Sequence, residues 1–146
     1  MNISNKGVAF ITQEEGIRLK AYLDAVGVAT IGCGSTEYEN GVSVKITDKP
    51  ITRERANLLF HNTLKKYVSA VNIAVKQTWT QNQFDSLVSL CYNIGTHGFS
   101  SSTLVKLINI NPLDHAITEA FDKWCKAGGK PILLSRRQRE AKLYFS

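Results

Sequence analysis

The hydrophobic pattern of this chain changes its period once, near residue 52, and this change limits the folds that the chain can adopt. Before it, residues 17–46 form short β-branched or alternating apolar segments separated by glycine-containing turns. That pattern is typical of a small antiparallel sheet of two or three strands. After it, apolar residues recur every three to four positions, as they do in packed helices. The pattern therefore predicts an α+β fold in which sheet and helices are segregated.

A helix is also predicted before the sheet. The segment VAFITQEE follows two candidate N-cap residues, Ser4 and Asn5, and Gly16 marks its end. Glu15 then falls on the last helical turn, where the backbone already carries partial negative charge. This position favours the protonated form of a carboxyl group.

Five further helices are predicted after residue 52. The first should turn one apolar stripe toward the core, formed by Leu58, Leu59, Leu64, Val68 and Val71. Two others should begin in the serine run 100–102 and after the Asn-Pro pair at 111–112, the latter helix ending at the glycine pair 128–129.

Capping boxes mark the starts of the remaining two helices. Thr80 with Gln83, and Ser135 with Gln138, have the spacing of this motif. In a capping box, the side chain of each residue accepts a hydrogen bond from the backbone amide of the other. At 146 residues the chain fits one domain. We predict a single domain, residues 1–146, with a sheet lobe at about 17–50 and a helical lobe at about 51–146 plus the N-terminal helix. A cleft is expected between the lobes.

Two classes of segment are not expected. No apolar run approaches the roughly 18 residues of a membrane span. The N-terminal apolar block VAFI is shorter than the roughly 7–15-residue core of a signal peptide. We therefore expect neither an export signal nor a stable membrane anchor.

The spacing of the cysteines and histidines is typical neither of a disulfide framework nor of a metal site. Cys33, Cys91 and Cys125 are odd in number and widely spaced, which favours buried thiols over a disulfide framework. The three histidines lack metal-ligand spacing such as HExxH. Neither a metal nor another cofactor is expected.

The charge of the chain favours an anionic partner. Lysine and arginine outnumber the acids by 18 to 12, a formal charge of +6. Nucleic acid, a membrane surface or an acidic polymer such as a bacterial wall would each suit that charge. The basic residues are dispersed except in SRRQRE at 135–140, which is too short for a nucleic-acid patch. A nucleic-acid-binding domain is therefore a remote alternative.

Two acids and a hydroxyl flank the predicted hairpin in an order that suits glycoside hydrolysis. A glycosidic bond is cleaved when one acid protonates the leaving oxygen and a second acidic group acts at the opposite face of the sugar. Glu15, at a helix end, suits the protonated role, and Asp24, at the polar end of a strand, suits the ionised one. Thr30 would face Asp24 across the hairpin and hold a water. Taken singly, Glu15 also fits a solvated helix end and Asp24 a turn.

Residues 15–34 carry the pattern E-G-x-R-L-x-A-Y-x-D-x-x-G-x-x-T-I-G-x-G. QNQFDSLVSLCYNIG, F-x-x-S-T-L at 99–104, W-x-x-A-G-G at 124–129 and SRRQRE follow in order. Together they resemble the phage-type lysozymes, the muramidase endolysins of glycoside hydrolase family 24. Within that family the chain is more similar to the phage P22 branch than to the T-even branch. The resemblance implies a lysozyme-like α+β domain with a small sheet lobe, a larger helical lobe and a cleft between them.

The resemblance also implies an activity, hydrolysis of the β-1,4 bond between N-acetylmuramic acid and N-acetylglucosamine in peptidoglycan, for host cell lysis. It assigns Glu15 as the general acid. It assigns Asp24 to position a water or stabilise developing positive charge on the sugar, and Thr30 to help hold that water. We expect a monomer with peptidoglycan, and not nucleic acid, as its partner. It would stay in the host cytoplasm until released to the cell wall.

Three further residues match supporting positions of the family. Asn93 matches an amide near the substrate cleft, and fits equally well as a cap near the end of its helix. Either Arg136 or Arg137 matches a partner of the catalytic glutamate, with a slight preference for Arg136. Both arginines also fit as surface charges at a helix start.

One position departs from the family pattern. Relatives usually read TIGxGH, and Ser35 stands where that histidine would be. The histidine is not one of the three catalytic residues, so activity is still expected, whereas the local stability of the motif is in question. A catalytically silent wall-binding module is the alternative function. The expected residues at all three catalytic positions speak against it.

Overall fold

The computed structural model describes residues 1–77 and 79–146. Within them, one helix, a two-stranded antiparallel sheet and six further helices follow one another, which confirms the predicted α+β order. The elements are α1 (Asn5–Glu15), β1 (Arg18–Leu23), β2 (Ala29–Gly32), α2 (Arg53–Ala74), α3 (Gln81–Ile94), α4 (Thr96–Ser100), α5 (Thr103–Ile110), α6 (Ala116–Asp122) and α7 (Leu134–Tyr144). None of the helices in these described ranges is long and apolar enough to cross a membrane.

Helix α1 begins and ends where its sequence predicts. Ser4 caps its start, since the Ser4 Oγ accepts a hydrogen bond from the amide of Gly7 at 3.0 Å. At the other end, the Gly16 amide donates to the Thr12 carbonyl at 2.7 Å, and Gly16 has a φ of +81°. This left-handed conformation favours glycine and stops the helix. Glu15 is therefore the last residue of α1.

Strands β1 and β2 form the predicted hairpin. Tyr22 lies opposite Thr30, and Leu23 lies opposite Ala29. The register shifts between Arg18 and Tyr22, an irregularity of the kind that bends the strand containing it.

The segment GVSVKIT, a candidate third strand, does not join the sheet. It forms an isolated antiparallel bridge between Glu37 and Ser43. The Asp48 carboxylate then accepts hydrogen bonds from the Lys45 amide at 2.8 Å and from the Tyr38 hydroxyl at 2.7 Å. These local bonds fold the segment into turns and compete with the pairing that a third strand would need.

Residues Val8–Lys65 form one compact unit. Its core combines side chains from the hairpin, from the loop after it and from the start of α2: Ala21, Ile31, Val44, Ile51, Ala56 and Leu59. Gly32 ends β2 where the strand approaches α2 closely. A Cβ at Gly32 would lie 3.3 Å from the Cβ of Ala56, and Gly32 has a φ of +67°. The first glycine of the TIGCG motif is therefore required by both space and conformation.

The other unit combines Met1–Gly7 with Lys66–Ser146. Helix α3 lies at its centre, because every residue from 83 to 91 is buried and the helix packs against α4 and α7. The predicted capping box at its start is confirmed. The Thr80 hydroxyl accepts from the Gln83 amide at 3.2 Å, and the Thr80 amide donates to Gln83 Oε1 at 2.8 Å. Ser102 likewise caps α5, as the serine run predicts.

Three predicted helix boundaries are wrong. Helix α6 starts only at Ala116, because Asn111 and Asp114 accept hydrogen bonds from amides two residues on and hold the intervening chain in turns. It ends at Asp122, ahead of the predicted glycine pair. Helix α7 begins at Leu134, so Ser135 lies inside its first turn and makes no side-chain cap.

One member of the predicted stripe on α2 is also wrong. Leu59, Leu64, Val68 and Val71 are buried as predicted, whereas Leu58 is 64% exposed. Adjacent residues of a helix are about 100° apart around its axis, so Leu58 and Leu59 cannot share a narrow buried face.

Candidate active site

Glu15 occupies the carboxyl end of α1, and its side chain is exposed. The last carbonyls of a helix lack intrahelical donors and form the negative end of its dipole. Glu15 therefore lies at the negative end of the α1 dipole. Gly16 then turns the chain so that β1 begins at Arg18. The carboxyl group of Glu15 is thus placed directly before the strand that leads to Asp24.

Asp24 shapes the loop between β1 and β2. Its Oδ1 accepts hydrogen bonds from the amides of Val26 and Val28, each at 2.9 Å. Its own amide donates to the Val28 carbonyl at 2.9 Å. Within the described part of the chain, Oδ2 receives no hydrogen bond. One carboxylate oxygen therefore holds the loop, and the other can accept from a ligand or from water.

Thr30 lies on the other strand of the same hairpin. It is 3% exposed, and its hydroxyl donates to the Val28 carbonyl at 2.9 Å. A threonine hydroxyl has one proton and two acceptor lone pairs. Since the proton is used at Val28, the hydroxyl can act toward a water only as an acceptor.

The hairpin register places Asp24 and Thr30 on one face. Alternate residues of a strand point to the same side, so Asp24 shares its side with Tyr22, and Thr30 lies directly opposite Tyr22. Such diagonal neighbours are about 7–8 Å apart. Both residues are also hydrogen-bonded to Val28, so the structure brings these two predicted site residues together.

Ser35, at the departure from the family pattern, has a structural role. It is 1% exposed, and its amide donates to the Ile31 carbonyl at 3.0 Å. Its hydroxyl lies 3.2 Å from that of Thr63 on α2. The Thr63 proton goes to the Leu59 carbonyl at 3.1 Å, so Ser35 is the donor in this pair. The serine fastens the turn after β2 to α2 in place of a larger side chain.

Asn93 lies in the last turn of α3 and is half-buried. The helix end is closed by the backbone, since the Gly95 amide donates to the Cys91 carbonyl at 2.8 Å. The Asn93 side-chain carbonyl oxygen is buried and has no donor among the described residues. Such an atom costs free energy unless another group bonds it.

Arg136 and Arg137 are both buried, in a cluster with Ser89 and Glu140. Arg137 Nε lies 2.6 Å from Glu140 Oε1, an ion pair whose angle does not meet hydrogen-bond geometry. Arg136 Nε lies 3.4 Å from Glu140 Oε2, and the Ser89 hydroxyl donates to the same oxygen at 2.5 Å. Burial raises the pKa of the Glu140 carboxyl, against the opposing effects of Arg137, Ser89 and Arg136. The reading of the two arginines as surface charges is therefore wrong, and their support of Glu15 stays a prediction.

Glu140 and Ser89 also belong to this cluster, although neither was predicted from the sequence. A charged residue in SRRQRE is ordinarily solvated, and buried charges are rare unless paired. The available signal was spacing, because residues three and four apart on a helix are neighbours and Glu140 stands at that distance from Arg137 and Arg136.

Comparison with known protein families matches residues 12–140 of this chain to the phage lysozyme family. The chain belongs to the phage lysozyme family. The matched range contains every site residue predicted from the sequence. As a family member, the protein is a glycoside hydrolase and an endolysin that hydrolyses peptidoglycan, which confirms the predicted enzyme class and substrate.

Individual phage lysozymes agree with this membership. The chain is 41% identical to the endolysin of Salmonella phage P22, over 100% of this chain and 99% of that endolysin. A crystal structure of a P22 lysozyme mutant matches with a TM-score of 0.93 at 40% identity, covering 100% of this chain and 99% of that one. The muramidase domain of SpmX from Asticaccaulis excentricus matches with a TM-score of 0.80 at 34% identity, covering 99% and 98% respectively. The predicted lysozyme-like fold is therefore confirmed.

Proposed function

We propose that the protein cleaves the β-1,4 bond between N-acetylmuramic acid and N-acetylglucosamine. In this proposal Glu15 is the general acid, Asp24 the anionic partner and Thr30 a positioning residue for water. One observation carries it: the hairpin offers an Asp24 carboxylate oxygen and the Thr30 hydroxyl on one face, while their other hydrogen-bonding groups are engaged at Val28.

The leaving sugar oxygen needs a proton as its bond to the anomeric carbon breaks. Glu15 suits this step, because its exposed side chain lies at the end of α1, directly before the strand that leads to Asp24. After the transfer Glu15 is a carboxylate. Its exposed side chain allows a proton to return from solvent.

The anomeric carbon develops positive charge and must gain an oxygen. A water that donates one hydrogen to Asp24 Oδ2 and the other to Thr30 Oγ1 turns a lone pair toward that carbon. Asp24 then takes up the proton that the water loses as the new carbon–oxygen bond forms. Before that transfer, the charge on Asp24 stabilises the developing positive charge on the sugar.

We propose further that Asn93 contacts the glycan. Its buried side-chain oxygen has no donor within the described residues. A sugar hydroxyl or N-acetyl amide would supply that donor. We also propose that Arg136 or Arg137 supports Glu15.

Location and assembly also remain predictions. We expect a monomer that collects in the host cytoplasm until it reaches the wall. Fractionation of expressing cells before and after the membrane is opened tests the first expectation, and sedimentation of purified protein tests the second.

Mass spectrometry of digested, borohydride-reduced peptidoglycan tests the proposed bond. Cleavage after N-acetylmuramic acid by hydrolysis gives a reducing muramic acid, so the expected products end in N-acetylmuramitol. Products that end in N-acetylglucosaminitol would place the cut at the other glycosidic bond. Anhydromuramic ends would indicate transglycosylation without water, and intact walls would favour the silent wall-binding alternative.

A further inference from the structure

Arg18 and Tyr22 belong to the family pattern but have no part in the mechanism above. The Arg18 guanidinium carbon lies 4.5 Å from the centroid of the Tyr22 ring, which is the distance of a cation–π contact. Arg18 is exposed and Tyr22 is half-buried. The ring therefore restrains a positive charge that would otherwise move freely at the surface.

This pair lies on the strand face of the proposed water site. Tyr22 is directly opposite Thr30 and two residues before Asp24. Directly opposed side chains have Cβ atoms about 4.5–5.5 Å apart, so the Tyr22 ring is the immediate neighbour of Thr30. Arg18, stacked on that ring, is the next group along the face.

No carboxylate of the described chain neutralises Arg18. The other arginine that stacks on a tyrosine in this unit, Arg55 over Tyr38, is paired with Glu39 at 2.5 Å. The ring contact is the one specific interaction of the Arg18 side chain within residues 1–77 and 79–146. Its planar fork of N–H donors matches the two oxygens of a carboxylate.

We propose that Arg18, held on Tyr22, binds a carboxylate of the substrate beside the bond that is cut. This inference rests on the proposed function of the same face. The wall polymer offers carboxylates of two kinds, the lactyl group of muramic acid where no peptide is attached, and the acidic groups of attached peptides. In both cases Arg18 makes the enzyme prefer muramic-acid-containing glycan over an uncharged polymer of N-acetylglucosamine.

Arg18→Gln and Arg53→Gln form a matched pair for the test. Both remove one positive charge from an exposed arginine of the same unit, and Arg53 lies at the start of α2, away from the hairpin in sequence. On intact walls, Arg18→Gln should lower kcat/KM about tenfold, through KM, whereas Arg53→Gln should stay within about twofold of wild type. Arg18→Lys should fall between them, because it keeps the charge and loses the planar fork.

Walls whose carboxyl groups have been converted to amides allow a double-mutant cycle, in which one change is made in the enzyme and the other in the substrate. Amidation should cost the wild type and Arg53→Gln the same factor, and Arg18→Gln about tenfold less, because its carboxylate contact is already absent. Equal sensitivity of all three proteins to amidation would overturn the proposal. Thermal melting of each variant shows whether a loss comes from misfolding.

Two further experiments identify the carboxylate and distinguish a failure of this proposal from a failure of the proposed function. Peptide-free glycan strands retain the lactyl carboxylate only. If wild type binds such strands about tenfold more tightly than Arg18→Gln, Arg18 contacts the lactyl carboxylate. If the difference in binding is seen only on intact walls, Arg18 contacts the carboxylates of the peptides. Failure of wild-type protein to release any fragment from intact walls would contradict the function itself, whereas release with no Arg18 effect contradicts only this inference.

Discussion

Asp24 and Thr30 share one acceptor, since the carbonyl oxygen of Val28 receives the Asp24 amide and the Thr30 hydroxyl, each at 2.9 Å. The Val28 amide in turn donates to Asp24 Oδ1 at 2.9 Å. A single residue of the loop therefore fixes the backbone of the acid, one of its carboxylate oxygens and the direction of the hydroxyl proton. The two side chains cannot shift independently of Val28, which makes the proposed water site a property of the hairpin.

Asp24→Asn should separate the structural role of this residue from its chemical role. Asparagine keeps an oxygen that can accept from the Val26 and Val28 amides, but it removes the negative charge. We expect wall hydrolysis to fall by about 10²–10⁴-fold with an almost unchanged melting temperature. Asp114→Asn, in which the native oxygen accepts from the Ala116 amide at 2.9 Å, is the matched turn control and should keep full activity. Wild-type hydrolysis by Asp24→Asn would show that the charge is not needed.

Thr30→Val should impair hydrolysis while it keeps the shape of the side chain. We expect kcat to fall about 10- to 100-fold with little change in KM, because the lost hydroxyl places a water and does not bind glycan. Thr30→Ser retains the hydroxyl and should keep most of the activity. Steady-state kinetics on soluble wall fragments measures both constants. Equal losses in the two variants would point to packing of this buried position and contradict the water role.

The hairpin and the two ends of α1 could be predicted because their causes are local. Ser4 and Gly16 act on the backbone beside them, and the AVG turn places Asp24 and Thr30 on opposite strands whatever the rest of the chain does. The family pattern then predicts that these positions form a site. The tight approach of Gly32 to α2 also explains why the motif contains glycine there.

What the sequence did not show depends on tertiary contacts or on competing local bonds. The start of α7 moved one residue ahead of the predicted cap at Ser135 because Leu133 accepts from the Arg137 amide at 3.0 Å and opens the helix. Glu140 is buried only because Ser89 and two arginines surround it, and sequence spacing alone does not distinguish that state from a solvated charge. The third strand does not form, because hydrogen bonds to Asp48 hold that segment in a turn.

Ser35→Ala should destabilise the fold modestly and leave catalysis unchanged. The variant removes the hydrogen bond to Thr63, while Thr63 keeps its bond to the Leu59 carbonyl. We expect a loss of about 0.5–1.5 kcal/mol in the free energy of unfolding, measured by urea denaturation. Ser43→Ala, at an exposed serine, is the control. A loss no larger than that of the control would contradict the structural role of Ser35.

Asp48→Asn should reduce the acid sensitivity of the fold. Hydrogen bonds from the Lys45 amide and the Tyr38 hydroxyl hold the pKa of the Asp48 carboxyl below its usual value. The folded protein therefore binds this proton less tightly than the unfolded chain, so the group stabilises the fold above its unfolded pKa of about 3.9. That stabilisation is lost as pH falls through the lower folded value.

Melting temperatures measured from pH 7 down to pH 2 test this expectation. Wild type should lose stability more steeply than Asp48→Asn below about pH 4. Asp114→Asn provides a second curve in which a turn carboxylate is replaced without the Tyr38 contact. Parallel curves for wild type and Asp48→Asn would show that this carboxylate contributes nothing to the acid response.

Fragment release from purified walls by Glu15→Gln tests most directly whether Glu15 donates the proton, with Glu14→Gln as the control from the same helical turn. We expect Glu15→Gln to melt like wild type and to release fragments about 10²–10⁴-fold more slowly, while Glu14→Gln works at close to the wild-type rate. Release by Glu15→Gln at the wild-type rate would contradict the assignment of Glu15 as the proton donor.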